Sequence, residues 1–136
     1  MGNRAVITIK EDNMPQEDWQ SLYLHWNGGR DSVEPLLHVA KLYGVRCQAD
    51  SSYAIARLSQ IMGNYIGGTL SIGVGTYKEL DTDNFDNGVY VVEDWEIVDR
   101  EFAPPYEQQE YDFNEMVAEI RSKNDQFFGY EEEANV

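Results

Sequence analysis

Two amphipathic stretches lie side by side in the middle of the chain, with strand-like segments on both flanks, and this order limits the available folds. The first stretch, within "DSVEPLLHVAKLYG", places Leu36, Leu37, Val39, Ala40 and Tyr43 at helical spacing. The second, residues 50 to 65, places Ala54, Ile55, Leu58, Ile61, Met62 and Tyr65 on one face. Before them, "AVITIK" (5–10) and "SLYLHW" (21–26) read as strands, with Leu22 and Leu24 facing one side and Tyr23 and His25 the other. After them come the Gly-containing strand "TLSIGVGTY" (69–77) and a hairpin, "VYVVED" with "WEIVDREF", around 89–102. A helix over 112–123 opens on Asp112 and Glu115, the spacing of a capping box. The order β-β-α-α-β-β-β-α predicts an α+β fold: a mostly antiparallel sheet with two central helices and a C-terminal helix. The chain has 136 residues, which favours a single domain over 1–126, followed by an acidic flexible tail at 127–136.

Local punctuation sharpens these boundaries. Proline is tolerated in the first turn of a helix, so Pro35 favours Ser32 over Asp31 as the cap of the first helix. Gly44 ends that helix. Asp50 or a following serine caps the second, and Gly67-Gly68 stops it. Asn87-Gly88 signals a turn before the hairpin.

Charge is unevenly divided. Residues 1 to 68 carry six basic and seven acidic side chains, and residues 69 to 136 carry four basic and eighteen acidic. A surface that binds a nucleic-acid polymer is not expected, because phosphate backbones need clustered Lys and Arg. The acidic half is either solvated surface or a mimic of nucleic acid. The one cysteine, Cys47, supports no internal disulfide and fits a reducing cytoplasm. No segment reads as a signal peptide or approaches the roughly 20 apolar residues of a membrane helix.

The stretch "WNGGRDS" is the first candidate site. Gly28 and Gly29 permit positive φ and close backbone approach, and the helix that follows directs its positive end to the same place. Arg30 offers a bidentate donor to phosphate, Trp26 a stacking face, and Asn27 an amide. The alternative is a plain strand-to-helix joint whose Arg30 pairs with a nearby carboxylate. A second candidate is the polar stripe Tyr53, Arg57, Gln60 and Asn64 on the second helix, where Arg57 needs a partner or a ligand. Its alternative is a solvated face. In the loop 78–88, Phe85 and Asn87 can stack on and hydrogen-bond a base, or Phe85 can simply pack inward.

Signals for catalysis are thin. His25 and His38 are the only histidines, and neither is near Cys47 in sequence. The loop from Asp81 fails the calcium-loop pattern, since Phe85, Asp86 and Val92 stand where an acid or amide, a glycine and a glutamate are required. No metal, no cofactor and no enzymatic activity are expected.

The blocks "MGNRAVIT", "YLHWNGGRDSVEPLL", "YAIARLSQIMGNYIGG" and "LDTDNFDNGVYVVEDW", all within residues 1 to 102, together resemble the first type of phage anti-Thoeris sponge. The resemblance implies a phage or prophage protein that binds without cleaving. Its ligand would be a cyclic nucleotide immune signal, glyco-cyclic ADP-ribose, or in some members cyclic oligonucleotides. It implies homo-oligomers, dimeric or higher up to hexameric, in the bacterial host cytoplasm, with pockets of aromatic, asparagine and arginine side chains. The residues available for those roles are Tyr77 or Phe85, Asn84 or Asn87, and Arg57 or Arg30. The acidic segment after residue 102 has no place in the resemblance. The rival expectation is an acidic mimic that inhibits a defence nuclease, and a weaker one is a phosphodiesterase-like enzyme.

Overall fold

A computed structural model describes residues 2–67, 70–107 and 110–129. The strands are β1 (Ala5–Ile9), β2 (Gln20–Leu24), β3 (Ile72–Thr76), β4 (Val89–Glu93) and β5 (Glu96–Glu101). The helices are α1 (Arg30–Leu42), α2 (Ser51–Ile66), α3 (Phe113–Ser122) and the short α4 (Asp125–Phe128). The fold is α+β, and the five strands run in the order β3-β2-β1-β4-β5. Every pairing is antiparallel except that of β1 with β4. Parts of the expected boundaries, at 68–69 and 108–109, and the tail from 130 onward lie outside the described residues.

The N-terminal strand is central, and its five residues are all buried. Alternation divides it between two faces. Ile7 and Ile9 join Leu22, Leu24, Tyr90 and Val92 against the apolar faces of α1 and α2. Val6 joins Val89 and Val91 in a smaller cluster covered by Trp19, Tyr23, Tyr77 and Leu80. On that same second face the buried hydroxyls of Ser21 and Thr8 satisfy each other at 2.8 Å. The split of β2 into Leu22/Leu24 and Tyr23 follows the expected alternation.

The hairpin between β4 and β5 turns on Asp94 and Trp95, both at positive φ (51° and 62°), the signature of a type I′ turn. Neither is glycine. Trp95 is held there because its ring is buried and its Nε1 donates to Val45 O at 2.7 Å. At the other end, α3 starts where expected: the Asp112 side chain accepts from Glu115 N at 3.0 Å. The helix α4 reaches into the stretch expected as tail, since Phe128 stacks on Tyr43 with ring centroids 4.7 Å apart.

Two helix starts differ from expectation. Gly29, not Ser32, occupies the cap position of α1, and its carbonyl accepts from Ser32 and Val33 at 3.0 Å each. Ser32 is buried inside the first turn instead. Pro35 therefore lies beyond that turn, where it leaves the Asp31 carbonyl without the usual helical N–H. Packing of Val33, Leu36 and Leu37 against the sheet outweighs that loss. Asp50 stands at the cap position of α2 but gives no side-chain cap, because its carboxylate is taken by Arg46 at 2.8 Å.

Gly88 is where the two halves of the sheet meet. Its φ is +66°, its carbonyl accepts from Val6 N at 2.9 Å, and a Cβ there would sit 2.2 Å from Glu101 O. Replacing Gly88 with alanine combines left-handed strain with backbone overlap. A loss of about 2–5 kcal/mol is expected, read as a lowered urea midpoint.

Candidate ligand-binding cleft

The parallel pairing of β1 with β4 brings three distant segments together: the start of β1, the turn before α1, and the loop before β4. Arg4 closes this junction. Its backbone N–H and its Nε both donate to Asp86 Oδ2, at 3.0 and 2.6 Å. That hydrogen bond is the main cause that holds the Asp86 carboxyl below its ordinary value and raises the Arg4 guanidinium. Asn87 ties the same loop to the strand, donating to Asn3 Oδ1 at 2.6 Å and to Arg4 O at 3.0 Å.

Between these segments lies a cleft of about 440 Å³. Gly29, Arg30 and Asp31 form one wall, from the first turn of α1, and Phe85, Asp86 and Asn87 form another. Pro104, Tyr106 and Glu107 close a third side. No side chain caps α1 here; Ser32 and Val33 N–H bond to Gly29 O, and the N–H groups of Arg30 and Asp31, both in the cleft wall, have no acceptor within the helix. Phe85 and Tyr106 are 88% and 93% exposed, so two aromatic faces stand free at the mouth.

Arg30 is not a free phosphate donor. Nη1 donates to Glu107 Oε2 at 3.0 Å and Nη2 to Glu34 Oε2 at 3.3 Å. Partial burial opposes its charge, but these carboxylates outweigh it and raise its pKa. The alternative of an Arg30 paired with carboxylates is the one the structure shows. The lining holds one arginine against three carboxylates, Asp31, Asp86 and Glu107.

The two glycines act differently from expectation. Neither takes a positive φ; in this turn Asn27 does, at 60°. Gly28 is required by close approach, because a Cβ there would lie 2.5 Å from Asn3 O. Its carbonyl accepts from the buried Tyr90 hydroxyl at 2.8 Å. Asn27 Nδ2 reaches Ser32 Oγ at 3.4 Å. Trp26 packs edge-on against His25, with centroids 5.2 Å apart, and lies half-exposed beside the cleft.

Of the residues singled out in the sequence, Gly29, Arg30, Phe85 and Asn87 meet at the cleft, while Trp26, Asn27 and Gly28 adjoin it in the chain. Tyr53 and Arg57 do not line it. Arg57 is exposed on α2, bonded to Gln60 at 3.1 Å and lying over the Tyr53 ring, with no ion pair among the described residues. Tyr77 belongs to the second face of the sheet. It donates to Glu101, and burial together with that acceptor pushes its phenol up to about 12. Asn84 is buried, and its amide spans its own loop: it donates to Asp81 O and Gly88 O and accepts from Asp86 N and Gly88 N. Burial likewise pushes the Cys47 thiol up to about 11, which disfavours the thiolate.

The sequence reading missed Asn3, Tyr106 and Glu107 at the cleft and Arg100 behind it. No protein-family model, no curated protein and no solved structure matches the chain.

Two measurements test this geometry. Asn84→Ala leaves the buried Gly88 N–H without its acceptor and should cost about 1–3 kcal/mol, read by thermal unfolding. The Arg4–Asp86 pair stabilises the fold above the ordinary aspartate range, and that contribution is lost as pH falls through the depressed Asp86 pKa. A carbon-detected NMR titration should place Asp86 below an ordinary aspartate, and Arg4→Ala should return it upward.

Proposed function

We propose that this protein is a phage or prophage anti-defence protein that captures a cyclic nucleotide immune signal, of the cyclic ADP-ribose type, without cleaving it. The observation that carries this reading is the cleft itself, which gathers an arginine, an asparagine amide, two exposed aromatic rings and an uncapped helix start. Its volume falls in the range of small-molecule sites. The aromatic faces suit a base, and the Asn87 amide oxygen suits a donor on its edge, since the amide N–H groups are taken by Asn3 and Arg4. Arginine and backbone N–H groups suit phosphate oxygens. The resemblance of residues 1 to 102 to anti-Thoeris sponges points to the same ligand class. Function as a homo-oligomer in the bacterial host cytoplasm belongs to the same proposal, since a second copy covering Phe85 and Tyr106 would enclose the ligand. Among the described residues, no helix is long and apolar enough to cross a membrane.

One observation favours a second reading, an acidic inhibitor of a nucleic-acid-binding defence enzyme. The net charge is −15, and the hairpin tip presents Asp94 and Glu96, two exposed carboxylates that share the single cation Lys41 at 4.0 and 3.8 Å. That arrangement would attract a basic partner irrespective of the cleft.

Calorimetry separates the two. Cyclic ADP-ribose isomers titrated into the protein should bind, and Arg30→Ala should weaken binding by about tenfold or more with the thermal transition retained. Absence of heat with every isomer and with cyclic oligoadenylates would sink the capture reading. Salt-sensitive binding to a basic nuclease, indifferent to Arg30→Ala, would favour the acidic inhibitor.

A further inference from the structure

Glu107 bridges two arginines at the edge of the cleft. Its two carboxylate oxygens reach guanidiniums from different elements. Oε2 accepts from Arg30 in the first turn of α1, at 3.0 Å, and Oε1 accepts from Arg100 on β5. Arg100 is fixed in place before any ligand arrives. Its Nε donates to Val89 O at 3.0 Å, its Nη2 donates to Asn87 O, and its guanidinium carbon lies 3.7 Å from the Tyr90 ring centroid. The side chains of Arg100 and Glu107 are only 14% and 15% exposed, yet Glu107 lines the open cleft.

We propose that Glu107 is a built-in counter-anion, displaced when a pyrophosphate-bearing ligand binds, and that its departure opens a phosphate subsite formed by Arg30 in the cleft wall and Arg100 behind it. The inference rests on the capture reading above. Two guanidiniums converging on one point repel each other unless an anion lies between them, and in the free protein that anion is Glu107. A pyrophosphate carries more charge and more acceptor oxygens than a carboxylate, so it can take over the two Nη1 donors, one from each arginine, that Glu107 now occupies. Glu107 then returns to water on the 103–107 segment, regaining hydration.

The arrangement also filters ligands. A tethered carboxylate competes at an effective concentration on the order of millimolar. Free phosphate gains too little to displace it. A ligand that also stacks its base on Phe85 or Tyr106 gains enough. The apparent affinity for the right ligand is lowered by the fraction of molecules in which Glu107 holds the site.

The test uses the full chain, with inorganic pyrophosphate and cyclic ADP-ribose as probes. Glu107→Gln, which keeps an acceptor but removes the charge, should raise the affinity for both by about tenfold or more. Arg100→Gln should abolish pyrophosphate binding. A second readout needs no variant: glutamyl endoprotease should cut the wild-type chain after Glu107 slowly when free and faster with cyclic ADP-ribose bound, with mass spectrometry locating the cut. If the wild type binds cyclic ADP-ribose while Glu107→Gln binds no tighter and cleavage after Glu107 is unchanged, the displacement is wrong and capture stands. If neither wild type nor Glu107→Gln binds either probe or any cyclic oligoadenylate, both fail.

Discussion

The parallel pairing of β1 with β4 is the constraint on which the rest of the structure depends. It joins strands more than eighty residues apart, Val6 opposite Val89 and Ile9 opposite Val92. Without it β4 and β5 would have no sheet to extend, and the smaller cluster of Val6, Val89 and Val91 would not form. The same pairing sets the cleft. It brings the loop before β4 to the start of β1, next to the turn that feeds α1, and Arg4–Asp86 and Asn3–Asn87 hold the loop there. Gly88 is the price of that junction, since only a residue without Cβ fits beneath the 101–102 backbone.

Electrostatics gives the cleft its character. Arg4 answers Asp86, Arg30 answers Glu34 and Glu107, and Arg100 answers Glu107. The positive charge around the cleft is thus present but already engaged. A site built this way does not attract anions from a distance, and the overall charge of −15 reinforces that. Under the proposed function, discrimination comes from exchanging one anion for another and from aromatic stacking. Long-range attraction plays no part.

Much of the fold was legible because local signals and tertiary packing agree. The apolar faces of α1 and α2, the alternation in β2 and the Asp112 start of α3 all appear where periodicity and capping place them. The start of α1 was misread because the sequence offers two good rules, Ser32 as a cap and proline in the first turn. Neither rule could register that Ser32 and Val33 would be buried, Val33 within the main core. The cleft was half legible. The glycines, Arg30, Phe85 and Asn87 stand in conspicuous local motifs, although Gly28 serves close packing and Asn27 takes the positive φ. Glu107 and Arg100 stand in no motif, and the partner of Arg30 lies 77 residues away, a separation that composition and spacing cannot resolve. Arg57 misled for the opposite reason: Ile55 and Leu58 turn to the core while Arg57, like Ala56, faces outward.

The most direct measurement of the central claim is chemical. The protein is incubated with lysate from cells whose TIR-domain defence has been triggered, recovered, and heat-denatured. The released small molecules are then identified by mass spectrometry. Capture without cleavage requires an intact cyclic ADP-ribose-type nucleotide, present in proportion to protein and absent from Arg30→Ala. Recovery of no nucleotide, or only of a hydrolysed one, would contradict it.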